Sequence, residues 1–289
     1  MKNRIFKWIL SMAALFAFTM LATSCESDAN DIAQMPNLQA ANASYNLAAV
    51  NSTGSYDLTQ LCNCLNTGYP IEALSADEVS ALVFMREEEK LAHDIYVKMY
   101  EKWGTKIFNN ISNSEQRHMD ALLCLLNKYD LDDPADANGI GEFTNTDLQA
   151  VYNSLLNQGS TSLKAALRVG ATIEDLDIKD LLGRTALMDN KDIVAVFGEL
   201  TKASRNHMRA FHRNLTNLGE TYVPQYISQA LFDEITNSQK ETGGSLCGTC
   251  LGNLTGQQGN GGNGPGNGTC PTGNGGGGGN GNGPGNGGK

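Results

Sequence analysis

Apolar residues recur every three or four positions over long stretches in the middle of the chain. This is the period of an α-helix that is buried on one face. Four long stretches have it and predict helices over about 75–102, 105–129, 161–184 and 189–218. Shorter helices are predicted over 146–157 and 226–240. No segment alternates apolar and polar residues as strictly as a half-buried strand would, so the pattern predicts an all-α fold.

Local signals mark where these helices begin and end. Ser75 followed by Glu78 forms a capping box at the start of the first helix. Asp132-Asp133-Pro134 and Asn138-Gly139 end the second helix with turn residues. The connection from there to the third long helix is long enough to cross the length of a helix bundle. Gly170 inside the third helix costs roughly 1 kcal/mol against alanine, which indicates close helix packing there.

Each long helix has polar residues in the middle of its apolar stripe. A buried charge costs several kcal/mol unless it is paired or bound to a metal. If the helices pack together, these residues meet at one level, where four carboxylates and two imidazoles would balance two divalent cations. In chain order the residues are Glu89, Glu115, His118, Glu174, Asp177, Ser204 and His207.

The second and fourth long helices share a short internal repeat. Residues 114–121 read SEQRHMDA and residues 203–210 read ASRNHMRA, so a His-Met-x-Ala core occurs twice. The repeat predicts that these helices are counterparts in two related helix pairs.

Three motifs together resemble the ferritin-like superfamily, which includes rubrerythrins and bacterioferritins. They resemble more closely an uncharacterised bacterial domain-of-unknown-function family within it. The resemblance covers about 75–220 and implies a ferritin-like four-helix bundle with a long crossover between helices two and three. The motifs are MREEEKLA at 85–92, Ser114-Glu115-Gln116-x-His118, and Gly170-Ala171-x-Ile173-Glu174.

The resemblance also implies metal ligands, residue by residue. Glu89, which precedes Tyr96 by seven residues, matches the Glu of the first helix. Glu115 and His118 match the Glu-x-x-His of the second helix, and Glu174 matches the Glu of the third. The implied cofactor is iron or manganese, with two ions possible; zinc is also possible.

On the fourth helix this sequence departs from the ferritin-like pattern. A second Glu-x-x-His is expected there, but Ser204 precedes His207, so one carboxylate is missing. Asp177 matches the extra acidic ligand that rubrerythrins carry three residues after the Glu of the third helix. It could restore the charge but not the geometry.

Several residues beside the predicted ligands are not expected to bind metal themselves. Tyr96, Ser204 and Glu88 would hydrogen-bond to the ligands, although Glu88 could instead form an ion pair near Lys90. Arg86 and Glu87 are expected on a solvated face. The alternative for the whole site is a hydrogen-bonded polar layer without metal.

Two functions follow from these alternatives. The first is a metal-binding protein with a di-iron or di-manganese type site, redox-active towards iron, oxygen or peroxide. The second is a non-catalytic scaffold or binding module of the cell envelope with a degenerate metal site. The sequence leaves open whether the protein is an enzyme. No Ser-His-Asp set, phosphate loop or nucleotide motif is present.

The N-terminus predicts export. Residues 1–24 have a basic start and an apolar stretch that is shorter than the ~20 residues of a membrane span. Small residues before Cys25 resemble a lipoprotein cleavage box, so Cys25 is the expected lipidation site; an ordinary secretory signal is the alternative. A lipid-anchored protein of the cell envelope is therefore expected, on an outer-membrane, periplasmic or surface face, with the membrane contacted through the lipid only.

Composition divides the remaining chain into a tether over 25–70, a helical domain over 71–240 and a Gly/Asn-rich tail over 241–289 that is expected to be flexible. The net charge of −10 argues against nucleic acid as a partner. Metal ions are the expected partners, and a homodimer is left open.

The cysteines have two alternative roles. In an oxidising compartment, disulfides are the first expectation. A Cys-x-Cys with a Cys-x-x-Cys could instead form a four-thiolate zinc site. The candidates for either role are Cys62, Cys64, Cys247 and Cys250, whereas Cys124 is expected to be a small buried apolar residue.

Overall fold

The computed structural model describes residues 58–242, and all regular structure within this range is helical. The expected all-α class is therefore confirmed. No helix in the range combines the length and apolar character that a membrane span requires. The helices are α1 (Leu58–Gly68), α2 (Ala76–Trp103), α3 (Lys106–Lys128), α4 (Thr146–Gly159), α5 (Leu163–Thr185), α6 (Lys191–Asn217) and α7 (Gln229–Asn237).

The ends of α2 are set by local chemistry. At its start the Ser75 hydroxyl accepts a hydrogen bond from the Glu78 N–H, and the Glu78 carboxylate accepts one from the Ser75 N–H, as the capping box predicts. At its end Gly104 has φ +63°, which a residue with a side chain rarely adopts. Because α3 begins two residues later, the chain reverses there and the two helices pack side by side.

The four long helices contact one another in a closed ring. Helix α2 packs on α3, α5 packs on α6, and the contacts between α2 and α5 and between α3 and α6 join the two pairs. Each long helix contributes to two apolar clusters, one on either side of its central polar residues. The polar residues are therefore enclosed between two layers of packed apolar side chains.

Gly170 allows α5 and α6 to approach closely, as its position predicts. A Cβ atom at this residue would lie 2.3 Å from Cε1 of Phe211. The Phe211 ring packs in turn against the ring of Tyr96, with centroids 5.4 Å apart. The glycine thus leaves space for an aromatic layer directly beside the central polar residues.

Charged residues of α2 hold the long connection between α3 and α5. The Arg86 guanidinium forms two hydrogen bonds to Asp133, at 3.0 and 2.8 Å. The Glu87 carboxylate accepts hydrogen bonds from the N–H groups of Thr144 and Asn145, at 2.6 and 3.0 Å. Both side chains are buried, so the prediction of a solvated face is wrong. The connection covers this face of α2, and helix periodicity gives no sign of such a cover.

Helix α1 begins inside the segment assigned to the tether. Leu61 and Leu65 are fully buried against the apolar cluster that includes the C-terminal half of α3. A disulfide joins Cys62 to Cys124, with Cα atoms 5.0 Å apart. The tether prediction is therefore wrong for residues 58–68, and Cys124 is a disulfide partner as well as a buried residue. Cys62, being so bonded, has no thiolate to offer zinc.

The last described residues also depart from the assigned boundary. Glu241, placed at the start of the flexible tail, lies 2.8 Å from Arg205 Nε and 2.9 Å from Arg209 Nη2 on α6. The signal peptide over 1–24, Cys25, Cys247, Cys250 and the rest of the tail lie outside the described residues.

Candidate metal centre

Five of the predicted ligands meet where the four long helices enclose the polar layer. All five are buried, with no more than 2% of any residue's surface exposed. They form two overlapping groups, and within each group the potential ligand atoms lie within 4.8 Å of one another. One group is Glu89, Glu115 and His118, and the other is Glu115, Glu174 and His207. We call these five residues the Glu/His centre.

Glu115 belongs to both groups because each of its oxygens faces a different imidazole. Its Oε2 lies 2.6 Å from His118 Nδ1, and its Oε1 lies 2.9 Å from His207 Nδ1. Each of the other two carboxylates approaches one of the histidines. Glu89 Oε2 is 3.0 Å from His118 Nδ1, and Glu174 Oε2 is 3.4 Å from His207 Nδ1.

The geometry follows from the spacing on α3 and from the internal repeat. Residues three apart on a helix lie on one face, which places Glu115 beside His118. The repeated His-Met-x-Ala segment places His118 on α3 and His207 on α6 at equivalent positions. Their rings face each other, with centroids 5.7 Å apart and an angle of 22° between the planes.

The two histidines and Glu115 stabilise one another's charged forms. Burial alone would lower the pKa of each histidine, but the nearby carboxylates, Glu115 first, raise it to about 10 for His118 and about 9 for His207. Burial alone would raise the pKa of Glu115, but the two imidazolium groups hold it well below its usual range.

The two outer carboxylates of the centre, Glu89 and Glu174, are less well stabilised in their charged forms than Glu115 is. Burial raises the pKa of Glu89 to about 7, although His118 opposes the shift. Burial also raises the pKa of Glu174, despite the attraction of His207. Within the described residues, Glu89 Oε1 has no hydrogen-bond partner. Three carboxylates therefore face two imidazoles in a buried space, which leaves a deficit of positive charge once the histidines are neutral.

Tyr96 contacts the centre in the way its sequence position predicts. Its hydroxyl donates a hydrogen bond of 2.5 Å to Glu174 Oε1 and lies 3.3 Å from the Gly170 carbonyl oxygen. Burial, followed by the charge of Glu174, raises the pKa of the phenol well above its usual value. Tyr96 therefore stays protonated and orients one oxygen of Glu174.

Asp177 lies beside the centre and in neither of the two groups. Its Oδ2 accepts a short hydrogen bond from the Ser204 hydroxyl, while its Oδ1 has no hydrogen-bond partner among the described residues. The sequence indicates both residues separately but gives no sign that they pair. Ser204, at the position where the ferritin-like resemblance leads us to expect a Glu, instead donates its hydroxyl hydrogen bond to the carboxylate of Asp177.

Glu88 has neither of the contacts expected for it. Lys90, its expected partner, pairs with Asp94 at 2.5 Å. Both Glu88 carboxylate oxygens lack a hydrogen-bond partner within residues 58–242. Burial, followed by the charge of Asp180, raises its pKa well above the usual range.

Comparisons with known proteins identify the family of the helical domain. Residues 78–239 match the family model described as "Uncharacterized protein domain (DUF2202)". The chain belongs to the DUF2202 family. This confirms the expected membership of a domain-of-unknown-function family, and the matched range contains the whole Glu/His centre.

The chain is also similar to a protein of Methanocaldococcus jannaschii. Over 174 residues it is 49% identical to "Uncharacterized protein MJ0754" of that organism, and the match covers 60% of this chain and 94% of that protein. The crystal structure of hypothetical protein MJ0754 has a TM-score of 0.59 to this chain at 49% identity, covering 60% of this chain and 98% of the other.

The residues of the Glu/His centre fit a transition-metal ion by their chemistry. Imidazole nitrogen suits zinc, iron and copper, and carboxylate oxygen suits manganese and magnesium, so a mixed set suits iron, manganese or zinc. A bound cation would also compensate the excess carboxylate charge and give Glu89 Oε1 a partner. The arrangement of this DUF2202 domain therefore could hold a metal ion.

Proposed function

We propose that this DUF2202 domain is a ferritin-like four-helix bundle that binds divalent metal at the Glu/His centre. The observation that carries the proposal is the convergence of three carboxylates and two imidazoles from four helices in a buried layer. Ligands projecting inward from facing helices, including a Glu-x-x-His pair, are how helix bundles hold pairs of metal ions. The long crossover between α3 and α5 supports the same fold.

The overlap of the two groups favours two ions. Glu89 and His118 would hold one, Glu174 and His207 would hold the other, and Glu115, with one oxygen towards each histidine, would be shared. When bound, iron or manganese would supply one-electron transfer, which suits ferrous iron, oxygen or peroxide as reactants. The protein's own residues supply the rest: Tyr96 orients Glu174, and the apolar clusters exclude water.

One observation favours a second candidate, a scaffold with a degenerate metal site. Ser204 gives the second metal position one carboxylate fewer than the family pattern, and its hydroxyl contacts Asp177. A protein that binds one ion and shows no redox activity would support this alternative.

The proposal is tested by measuring the metal content and melting temperature of protein purified without added metal, then of protein given Fe²⁺, Mn²⁺ or Zn²⁺. We expect bound metal and a higher melting temperature, because a ligand that binds only the folded state stabilises it. His118→Ala should abolish the effect. Asp120→Asn, a change on the partly exposed side of the same helix, should leave it intact.

A wild-type melting temperature that none of the three metals changes would refute the proposal. So would a His118→Ala variant that binds metal as the wild type does.

A further inference from the structure

A small cavity lies between α2, α4 and α5. Its volume is about 20 Å³, which is room for one molecule about the size of water. Most of its wall consists of apolar side chains, among them Leu91, Ala92, Leu148, Leu155 and Ile173. The space is therefore sufficient for a very small molecule and too small for an organic substrate.

The polar residues of the wall offer almost no hydrogen-bonding surface to an occupant. Glu88 and Asp177 belong to the wall, but the accessible lining is almost wholly apolar, and the Glu88 carboxylate oxygens and Asp177 Oδ1 are buried. The Thr172 hydroxyl already donates a hydrogen bond of 3.0 Å to the Arg168 carbonyl oxygen. A buried water molecule needs roughly two to four polar partners, whereas apolar cavities stay dry and take up apolar molecules. The chemistry of this wall therefore suits an apolar occupant.

Part of the wall adjoins the ligands of the Glu/His centre. Ala92 follows Glu89 by three residues on α2. On α5, Ile173 directly precedes Glu174, and Asp177 follows Glu174 by three residues. All three wall residues are buried. The cavity thus adjoins one proposed ligand of each metal position.

Other parts of the wall reach the protein surface. Val151, Leu176 and Tyr226 line the cavity and are partly exposed, and the cavity is not fully enclosed. A molecule that enters between these residues would meet apolar side chains until it reached the buried residues beside the centre. The cavity therefore has the position of an inlet from solvent.

We propose that this cavity binds dioxygen, which reaches the Glu/His centre from it. The proposal rests on the proposed function, from which it takes the set of reactants, and it selects one of them. Dioxygen is small and apolar, as the wall requires. Hydrogen peroxide would lose its hydrogen bonds to water in this space, and ferrous iron would lose its hydration without gaining a ligand.

Dioxygen is paramagnetic, so nuclear magnetic resonance can locate it in the metal-free, full-length protein. Dissolved dioxygen speeds the relaxation of the methyl protons that it approaches. We expect a several-fold larger effect at the methyl groups of Leu148, Leu155 and Ile173 than at those of Leu61 and Ile193. The latter two residues are also buried, but they belong to the apolar cluster on the other side of the polar layer and do not line the cavity.

A larger side chain in the wall should exclude dioxygen. Val151→Phe lies on α4, away from the ligands, and should remove the enhanced relaxation at Ile173 and Leu155. Val194→Phe, the same change at a partly buried valine of α6 that does not line the cavity, should leave it. Circular dichroism checks the fold of both variants. In protein loaded with Fe²⁺, Val151→Phe should raise KM for dioxygen several-fold and leave kcat unchanged.

Wild-type relaxation at the cavity methyl groups that is no faster than at Leu61 and Ile193 would overturn the proposal. A folded Val151→Phe protein with wild-type relaxation at Ile173 would overturn it too. Failure of the proposed function has a different signature, because then no metal binds while dioxygen still collects in the metal-free cavity. That outcome would refute the supply of dioxygen to the centre but not its binding in the cavity.

Discussion

Glu115 Oε1 of α3 lies 2.9 Å from His207 Nδ1 of α6, although 92 positions separate the two residues in the chain. The other oxygen of Glu115 contacts His118 on its own helix. One carboxylate therefore links the two histidines of the internal repeat and the two helix pairs. Several properties of the protein should depend on this residue more than on any other member of the centre.

The first prediction concerns Glu115 in the metal-free protein. Glu115→Gln should destabilise it by about 3–5 kcal/mol, because removing one partner of a buried ion pair leaves the other charge uncompensated. Urea unfolding of metal-free wild type and variant measures the difference, with Asp120→Asn as the control. Equal stability of Glu115→Gln and wild type would contradict this account of the centre.

The second prediction is an opposite pH dependence with and without metal. The folded-state pKa values of His118 and His207, about 10 and about 9, lie above the ordinary 6.5. Their contribution is therefore complete below pH 6.5 and is lost as the pH rises through 9 and 10. The pKa of Glu89 is raised from 4.5 to about 7. Its contribution to stability is therefore also lost as the pH rises from 4.5 to about 7.

The metal-free protein should thus lose stability as the pH rises from 6.5 towards 10. Metal binding requires deprotonated ligands, so the stabilisation by added Mn²⁺ should grow over the same range. Melting temperatures at a series of pH values, with Mn²⁺ or with a chelator, test both trends. A metal-free stability that rises across this range would contradict the assigned shifts.

The third prediction concerns the missing carboxylate. Ser204→Glu should tighten binding at the second metal position, next to His207. Without metal the same change should lower the melting temperature, because a new buried carboxylate would face Asp177. Ser204→Ala removes the hydroxyl and adds no charge, so it is the control. Mn²⁺ titration that finds the affinity of Ser204→Glu unchanged or weaker would argue against the ferritin-like ligand arrangement that we propose.

The fourth prediction tests the close contact between α5 and α6. Gly170→Ala should destabilise the protein by about 1–3 kcal/mol, because the new Cβ would lie 2.3 Å from Cε1 of Phe211. Gly183→Ala on the same helix is the matched control, since a Cβ there meets no atom within 4 Å. It should stabilise by up to ~1 kcal/mol through helix propensity. Thermal or urea unfolding separates the two, and equal effects would refute the packing argument.

The fifth prediction separates the disulfide from the metal centre. Replacing Cys62 and Cys124 together by alanine should cost about 2–4 kcal/mol of stability, because the cross-link restricts the unfolded chain. Metal stoichiometry should not change, since neither cysteine belongs to the Glu/His centre. Loss of bound metal from a folded double variant would show that α1 helps to position the ligands.

The helices and the ligand candidates could be predicted because both depend on local rules. Helical period places Glu115 beside His118, and a capping box starts α2, whatever the rest of the chain does. A carboxylate on an apolar stripe is recognisable from neighbours three and four residues away. The repeated His-Met-x-Ala segment even related His118 to His207 across the chain.

The partners of these side chains depended on which helices face one another, and only the tertiary structure decided that. Asp177 and Ser204 lie on different helices and pair across the interface between α5 and α6, so neither could be placed from its own helix. Arg86 and Glu87 are buried because the non-helical part of the connection, before α4, covers them. Glu88 looks like its charged neighbours in the sequence, but packing buries it without a hydrogen-bond partner among the described residues. Sequence spacing thus determined which residues share a helix face, while packing between helices determined what each face meets.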